Sequence, residues 1–206
     1  MQLPLFKGIS ADQLSTLLEK TCVEFVNFED GQIIAAPDDP VVFLNYVMGG
    51  RARIEHLFKE VDLKIVETVG HGALLAPTHL FGLNTVFNVR ISAIGKTSIL
   101  RFTKDRFMDI IESDRIYLFN FLNYLSAAAQ RREYFVLDLK EINLANVIKR
   151  MAKSITSPWC ESLIVEGEAK KIADFCGMSL QEFNDWKNNQ NQTGDLRVTD
   201  NGIIII

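Results

Sequence analysis
The segment Ser113-Asp-Arg-Ile-Tyr-Leu-Phe-Asn-Phe-Leu-Asn-Tyr-Leu-Ser-Ala-Ala-Ala-Gln-Arg-Arg-Glu-Tyr-Phe-Val-Leu-Asp-Leu139 reads as one long helix. Leu118, Leu122, Leu125, Ala129, Arg132, Val136 and Leu139 recur at alternating steps of four and three, the seam of a two-stranded coiled coil. A second line, Phe121, Leu125, Ala128, Arg132, Phe135 and Leu139, lies beside it. At roughly 100° per residue the two lines merge into an apolar face too wide for one partner helix. Such a helix needs its own chain on one flank and a second copy on the other, so the seam residues are the expected dimer interface. A long core helix of a monomer is the alternative that spacing alone leaves open. Asn120, Asn123, Gln130, Arg131, Tyr134 and Asp138 fall on the polar side, and Ser113 is the expected N-cap.

N-terminal to this helix the texture is that of a β unit. Pro4 to Lys20 reads as a turn and a short helix, with Ser10 capping and Leu14, Leu17 and Leu18 on one face. From Cys22 to about Phe102 short apolar or alternating runs follow: Val23–Phe28, Gln32–Ala35, Val41–Met48, Ala52–Leu57, Leu63–Val69, Asn88–Ile94 and Ser98–Phe102. Turn residues separate them at Glu29-Asp-Gly31, Pro37-Asp-Asp-Pro40, Gly49-Gly50, Gly70-His-Gly72 and Gly95-Lys96. Short strands at this spacing predict an all-β sandwich or barrel, a jelly roll in its simplest form. Lys104–Glu112 is a short helix with Phe107, Ile110 and Ile111 inward.

Beyond Leu139 a hinge over 139–143 leads into a helix over Leu144–Ile155, and Ser162–Val165 reads as a short strand. Glu168 to Trp186 then carries two helical faces: Ala169, Ile172, Ala173 and Cys176 before Gly177, and Phe183, Trp186 and Lys187 after Ser179. That is the spacing of a helix-turn-helix, whose turn glycine supplies a positive φ. Leu196 to Ile206 reads as a hairpin turning at Asn201-Gly202, and a hairpin after a helix-turn-helix is a wing. The expected class is α+β: a jelly-roll β barrel over 1–112, a dimerisation helix over 113–139 and a winged helix-turn-helix over 140–206.

Composition narrows the function. The chain is 48% hydrophobic and 23% charged, with no apolar run near the roughly 20 residues of a membrane span. Its start lacks the basic run and small-residue cleavage site of a secretory signal, so the expected compartment is the cytoplasm and no membrane partner is expected. Cys22, Cys160 and Cys176 are odd in number and far apart, which indicates neither a disulfide framework nor a metal site. GxSxG, HExxH, P-loop and GxGxxG patterns in a strand–turn–helix setting are missing, and Asp38-Asp39 and Glu166-Gly-Glu168 read as solvent-facing turn carboxylates, so no enzyme is expected. A net charge of −4 gives no general attraction to nucleic acid, and any such contact must be local.

The order of barrel, long helix and winged helix-turn-helix resembles the Crp/Fnr superfamily of bacterial transcription regulators. The residues that carry the resemblance are Pro4-Leu-Phe-Lys-Gly-Ile-Ser, Phe28-Glu-Asp-Gly-Gln-Ile-Ile, Val47-Met-Gly-Gly-Arg-Ala-Arg-Ile and Ala93-Ile-Gly-Lys-Thr-Ser-Ile-Leu-Arg-Phe. The resemblance implies a sensing barrel, a homodimer, DNA with a roughly palindromic site as partner, and RNA polymerase as a further one. It also implies that the second helix of the C-terminal motif enters the major groove.

Cyclic-nucleotide-binding members follow a glycine-rich turn with Gly-Glu, whose carboxylate takes the ribose, and an Arg some ten residues on holds the phosphate. Here Gly72-Ala-Leu-Leu-Ala-Pro-Thr-His fits the turn, which puts Pro77 at the Glu position and Phe87 or Asn88 at the Arg position. Arg90 is close in sequence, but in a strand a slip of an odd number of residues, as from Phe87, points the side chain to the other face. Neither a cyclic nucleotide nor any other cofactor or metal is therefore expected, His71 and His79 included, and the effector is open. Its candidate pocket is Ala76, Pro77, Thr78, Phe87, Asn88 and Arg132. A charge on the helix seam is costly unless paired, so Arg132 meets either an acid such as Glu133, water, or an anionic effector. The expected DNA contacts are Lys170, Lys171, Ser179, Gln181, Asn184, Lys187, Asn188 and Arg197. From Lys140 onward eight Lys/Arg stand against nine Asp/Glu, and Asp185 occupies the place of a characteristic Arg. Non-specific affinity comes mainly from neutralised phosphates, so binding should be weak at physiological salt. A protein of this fold that has lost DNA reading is the alternative.

Overall fold
The computed structural model describes residues 5–20, 23–59, 62–137, 154, 156–157, 160–175, 178–190, 196–199 and 202–205; for 11, 14, 20, 131–137, 175, 190, 196–199, 204 and 205 it describes the backbone alone. The expected hinge at 139–143, the helix over 144–155 apart from Ser154, Cys22, Cys176, Gly177 and Leu139 lie outside the described residues. The chain divides into two compact units, one of Met1–Ala52 with Gly70–Gln130 and one of Arg53–Val69 with Arg131–Ile206. Residues 53–69 thus belong with the C-terminal part, although sequence order put them in the middle of the expected 1–112 barrel.

In the first unit a helix, α1 (Ala11–Lys20), opens at a reciprocal cap. The Ser10 hydroxyl accepts from the Gln13 N–H at 3.2 Å, and Gln13 Oε1 accepts from the Ser10 N–H at 2.9 Å. The strands β1 (Glu24–Phe28) and β2 (Ile33–Ala35) both pair antiparallel with a long strand at Arg90–Thr103, whose other neighbour in the sheet is β3 (Phe43–Phe58). The two-residue β5 (Leu74–Leu75) pairs with Asn45 and Tyr46 of β3. Leu63–Val69 is β4, so the strand at Arg90–Thr103 is β6.

Two expected turns are not turns. Gly49-Gly50 lies inside β3 and Gly95-Lys96 inside β6, each strand running on where two had been expected. The physical reason is a close approach. Gly50 has φ 75°, and a Cβ there would collide with the Lys96 carbonyl oxygen. The Thr97 hydroxyl donates to the Arg51 carbonyl at 2.8 Å across the same crossing. At these glycines the strands continue instead of ending.

The core of this unit holds Leu44, Val47, Ile91, Ile99 and Phe102, all essentially without exposure. The helix α2 (Lys104–Ser113) adds Phe107, Ile110 and Ile111, as its spacing predicts, and the Thr103 hydroxyl caps it by accepting from the Arg106 N–H. The long helix α3 (Arg115–Leu137) begins one residue later than expected. Its cap is Asp114, whose carboxylate accepts from the Ile116 N–H at 2.9 Å, and not Ser113, whose hydroxyl instead donates to the Ile110 carbonyl at 2.7 Å. Asn120 also departs from expectation: it is half-buried, and its amide donates to the Leu5 and Lys7 carbonyls at 3.0 and 2.9 Å, tying the N-terminal turn to α3.

In the second unit the strands follow the order β4, β7 (Cys160–Glu166), β9 (Gly202–Ile205), β8 (Leu196–Thr199), with β3 the other neighbour of β4. Two helices, α4 (Ala169–Phe175) and α5 (Leu180–Gln190), pack on these strands. One core gathers Leu63 and Ile65 of β4, Leu163 and Val165 of β7, Ile172 and Ala173 of α4, Phe183 of α5 and Ile203 of β9.

Candidate functional site
The expected effector turn forms a single 3-10 turn over Pro77–His79. Ala76, preceding it, stands at φ 48° and ψ 42°, the left-handed region where a side chain costs energy and glycine does not. Sequence reading missed this strain; its only trace is alanine where the Gly-Glu pattern has glycine. Pro77 is buried, and Ala76 and Thr78 are half-buried. Thr78 Oγ1 lies 3.1 Å from His79 Nδ1, and His71 Nδ1 donates to the Met48 carbonyl at 2.6 Å, so His71 is held as a structural group. Along the run into β6 the faces alternate: Phe87, Val89 and Ile91 are buried while Asn88 and Arg90 are exposed. The only arginine of this run therefore points away from the side Phe87 fills. Tyr46 is fully buried and its hydroxyl has no hydrogen-bond partner among the described residues; burial pushes that phenol well above its usual range.

On α3 the two flanks separate as the spacing requires. Tyr117 and Phe121 are buried, Phe121 meeting Phe107 edge-on with centroids 4.9 Å apart. Leu118, Phe119 and Leu122 are 36%, 60% and 46% exposed, Ala129 is exposed and Leu125 is half-buried. The side chains of Arg132 and Val136 lie outside the described residues.

In the second unit the expected DNA contacts fare unequally. Lys170, Gln181, Asn184 and Asn188 are exposed, Lys187 is half-buried, and the Arg197 side chain lies outside the described residues. Ser179 is already engaged by Glu182. The carboxylate accepts both the Ser179 N–H and its hydroxyl at 2.8 Å, and the hydroxyl accepts from the Glu182 N–H at 3.2 Å. These donors hold the Glu182 carboxyl below its usual range. Lys171 is engaged too, by Asp62 at the end of the β3–β4 turn; the pair raises the lysine's pKa and lowers the aspartate's. No sequence signal links residues 62 and 171.

Glu166, expected to face solvent, is instead half-buried and paired with Arg53, whose guanidinium bridges Glu55 at 2.8 Å and Glu166 at 2.9 Å. Glu67 is 2% exposed, with His56 Nε2 at 3.1 Å from one oxygen and the Ser157 N–H donating to the other at 2.6 Å. Among the described residues no group of three or more His, Cys, Asp or Glu is placed to hold a metal ion, and no helix is long and apolar enough to cross a membrane.

Residues 25–114 match the family model described as Cyclic nucleotide-binding domain. Comparison with curated proteins finds no match. Among solved structures, the chain is similar to the Thermus thermophilus Catabolite Activator Protein, with 14% identity over 98% of this chain and 93% of that one at a TM-score of 0.54. It is similar to the c-di-GMP responsive global regulator CLP of Xanthomonas campestris, with 15% identity over 95% and 99% at 0.56. A transcriptional regulator from Thermotoga maritima matches with 23% identity over 60% of this chain and 97% of that one at 0.53. Residues 25–114 are thus similar to the Cyclic nucleotide-binding domain family, and the chain shares the fold of these solved regulators.

Proposed function
We propose that this protein is a homodimeric Crp/Fnr-type transcription regulator, acting in the cytoplasm and without catalytic activity. Residues 140–206 form its winged helix-turn-helix, α3 within 113–139 its dimer seam, and 1–112 its sensor domain in sequence, with the 53–69 hairpin shared with the DNA-binding unit. The observation that supports this most is the order α4, α5, then the β8–β9 hairpin, in a chain whose fold likeness to regulators spans nearly its full length. The exposed Leu118 and Leu122 on a helix whose opposite flank is buried support the homodimer. Leucines at coiled-coil spacing are the surface a second copy of the same helix fits.

The sensor takes something other than a cyclic nucleotide. Pro77 supplies no carboxylate for a ribose, and Arg90 is exposed on the face opposite Phe87. Ala76, Pro77, Thr78 and Phe87 line the proposed site, and Asn88, exposed on the face of Arg90, falls outside it. An effector that prefers one setting of the sensor shifts the population of dimers whose α5 helices face half-sites about 34 Å apart. The regulator then meets RNA polymerase on DNA.

Binding of purified protein to fragmented genomic DNA tests the proposal. Recovery of a palindromic site that survives about physiological salt is the expected result; loss of all DNA as salt rises refutes it. One observation favours a second reading, a sensor that no longer reads DNA. The Glu182 carboxylate already takes Ser179's donors at the start of α5, where a phosphate would bind. DNA affinity that appears only in Asp185→Arg would favour that reading.

A further inference from the structure
Residues 53–69 are built into the second unit by every kind of contact a strand hairpin can make. The ladder of β4 on β7 runs from Lys64↔Glu166 to Val69↔Cys160 and fills the edge of the β7-β9-β8 sheet that β9 leaves open. Leu63 and Ile65 enter the core against Val165, Ile172 and Phe183, and Leu63 lies so close to Gly167 that a Cβ there would collide with it. Arg53 holds Glu166, and the buried Glu67 holds the Ser157 N–H. Docking on this scale fixes the residue at the tip. Asp62 sits at φ 51°, a left-handed turn position that Asp and Asn tolerate, with its side chain 78% exposed and hydrogen-bonded to Lys171.

We propose that the hairpin is a competitor for nucleic acid carried in the same chain: by docking on the second unit it holds the Asp62 carboxylate on Lys171 and masks that cation from phosphate. The ligand it competes with rests on the DNA-binding reading above. The effect is large for this surface because cations are few. On α4 and α5 the lysines are Lys170, Lys171 and Lys187, against Glu168, Asp174, Glu182 and Asp185 on the same helices and the residue before them. With Lys171 occupied, two lysines face four acids. Each phosphate neutralised steepens the salt dependence of binding by about 0.9, so Lys171 is one of very few contributors, and the hairpin decides whether it contributes.

The test is the affinity of the full chain for a random-sequence duplex of about 30 base pairs, measured from about 20 to 200 mM salt. Asp62→Asn removes the charge and keeps a residue that accepts the left-handed backbone. It should tighten binding about twofold to fivefold at low salt and steepen the salt slope by about 0.9. Asp62→Asn with Lys171→Gln should lose that gain, and Asp109→Asn, which removes an acid from the exposed Arg106 pair, should not reproduce it. Lys171→Gln alone should leave the wild-type slope almost unchanged; a loss of a full phosphate's worth shows that Lys171 already meets DNA and overturns the proposal. Wild type that binds while Asp62→Asn matches it overturns the masking and leaves the DNA-binding reading standing. Wild type that fails to bind while Asp62→Asn binds supports the masking. If neither binds at the lowest salt, both the masking and the DNA-binding reading are refuted.

Discussion

The contact between Leu63 and Gly167 sets up a double-mutant cycle whose sign follows from geometry. Leu63 is 3% exposed, and Leu63→Ala removes three carbons from the second unit's core. At about 0.8 kcal/mol per buried methylene plus a cavity term, the loss is about 3 kcal/mol, within the range of about 2–5 for such changes. Gly167→Ala drives a methyl into Leu63 Cδ2 and near Ile172 Cγ1. Overpacking of this kind costs about 1–3 kcal/mol, offset by about 0.4–1 from the stiffer unfolded chain. In the double variant the new methyl enters the space the leucine has left. The clash disappears, part of the cavity is refilled, and the unfolded-state gain is kept. The pair should therefore be about 1–2 kcal/mol more stable than the sum of the singles. Both tryptophans, Trp159 and Trp186, fall in the second unit's part of the chain, so urea unfolding followed by tryptophan fluorescence at fixed protomer concentration reads this unit. Additivity within about 0.5 kcal/mol would show that Leu63 does not pack on Gly167, and the docking of the hairpin would fall with it.

Ala76→Gly should stabilise the first unit by about 0.5–1 kcal/mol, because the left-handed strain outweighs the entropy that glycine gains on unfolding; denaturant titration followed by near-ultraviolet circular dichroism reads it. Tyr46→Phe removes a buried hydroxyl that has no partner among the described residues, and should be neutral or stabilising by up to about 1 kcal/mol, against the loss expected for a hydrogen-bonded one, in the same titration. Leu122→Glu, placed on the exposed flank of α3, should convert a dimer to monomers in sedimentation velocity without lowering the stability of the first unit; an unchanged sedimentation coefficient would refute the seam. The Glu182 cap has its own pH signature. Its folded pKa lies below the unfolded one, so its contribution is present above about pH 4.3 and is lost as pH falls through the folded value. Glu182→Gln should flatten that part of the acid dependence of the tryptophan transition.

Local patterns were legible because they depend on near neighbours. The run Leu118, Leu122, Leu125 and Ala129 marked the outward flank of α3, and Phe121 its inward one, since 3.6-residue periodicity alone sorts them. Alternation likewise put Arg90 opposite Phe87, and the C-terminal run read as two strands, now seen at Leu196–Thr199 and Gly202–Ile205, although Gly202, expected at the turn, is the first residue of the second strand. The glycines misled where their role was to admit another strand. Gly50 reads as a turn residue, yet it is required by the Lys96 carbonyl, which is far away in sequence. The assignment of residues 53–69 could not be read at all. Their alternation fits a barrel hairpin and a strand of the C-terminal sheet equally well, because a β edge is completed by backbone hydrogen bonds that any sequence can make. Sequence thus determined which elements form and which faces are apolar. Tertiary structure alone decided that β4 joins β7, that Leu63 completes a core beside Gly167, and that Lys171 is held by Asp62. Those contacts join residues about a hundred positions apart, and their free energy comes from burial and pairing that exist only once the chain has closed on itself.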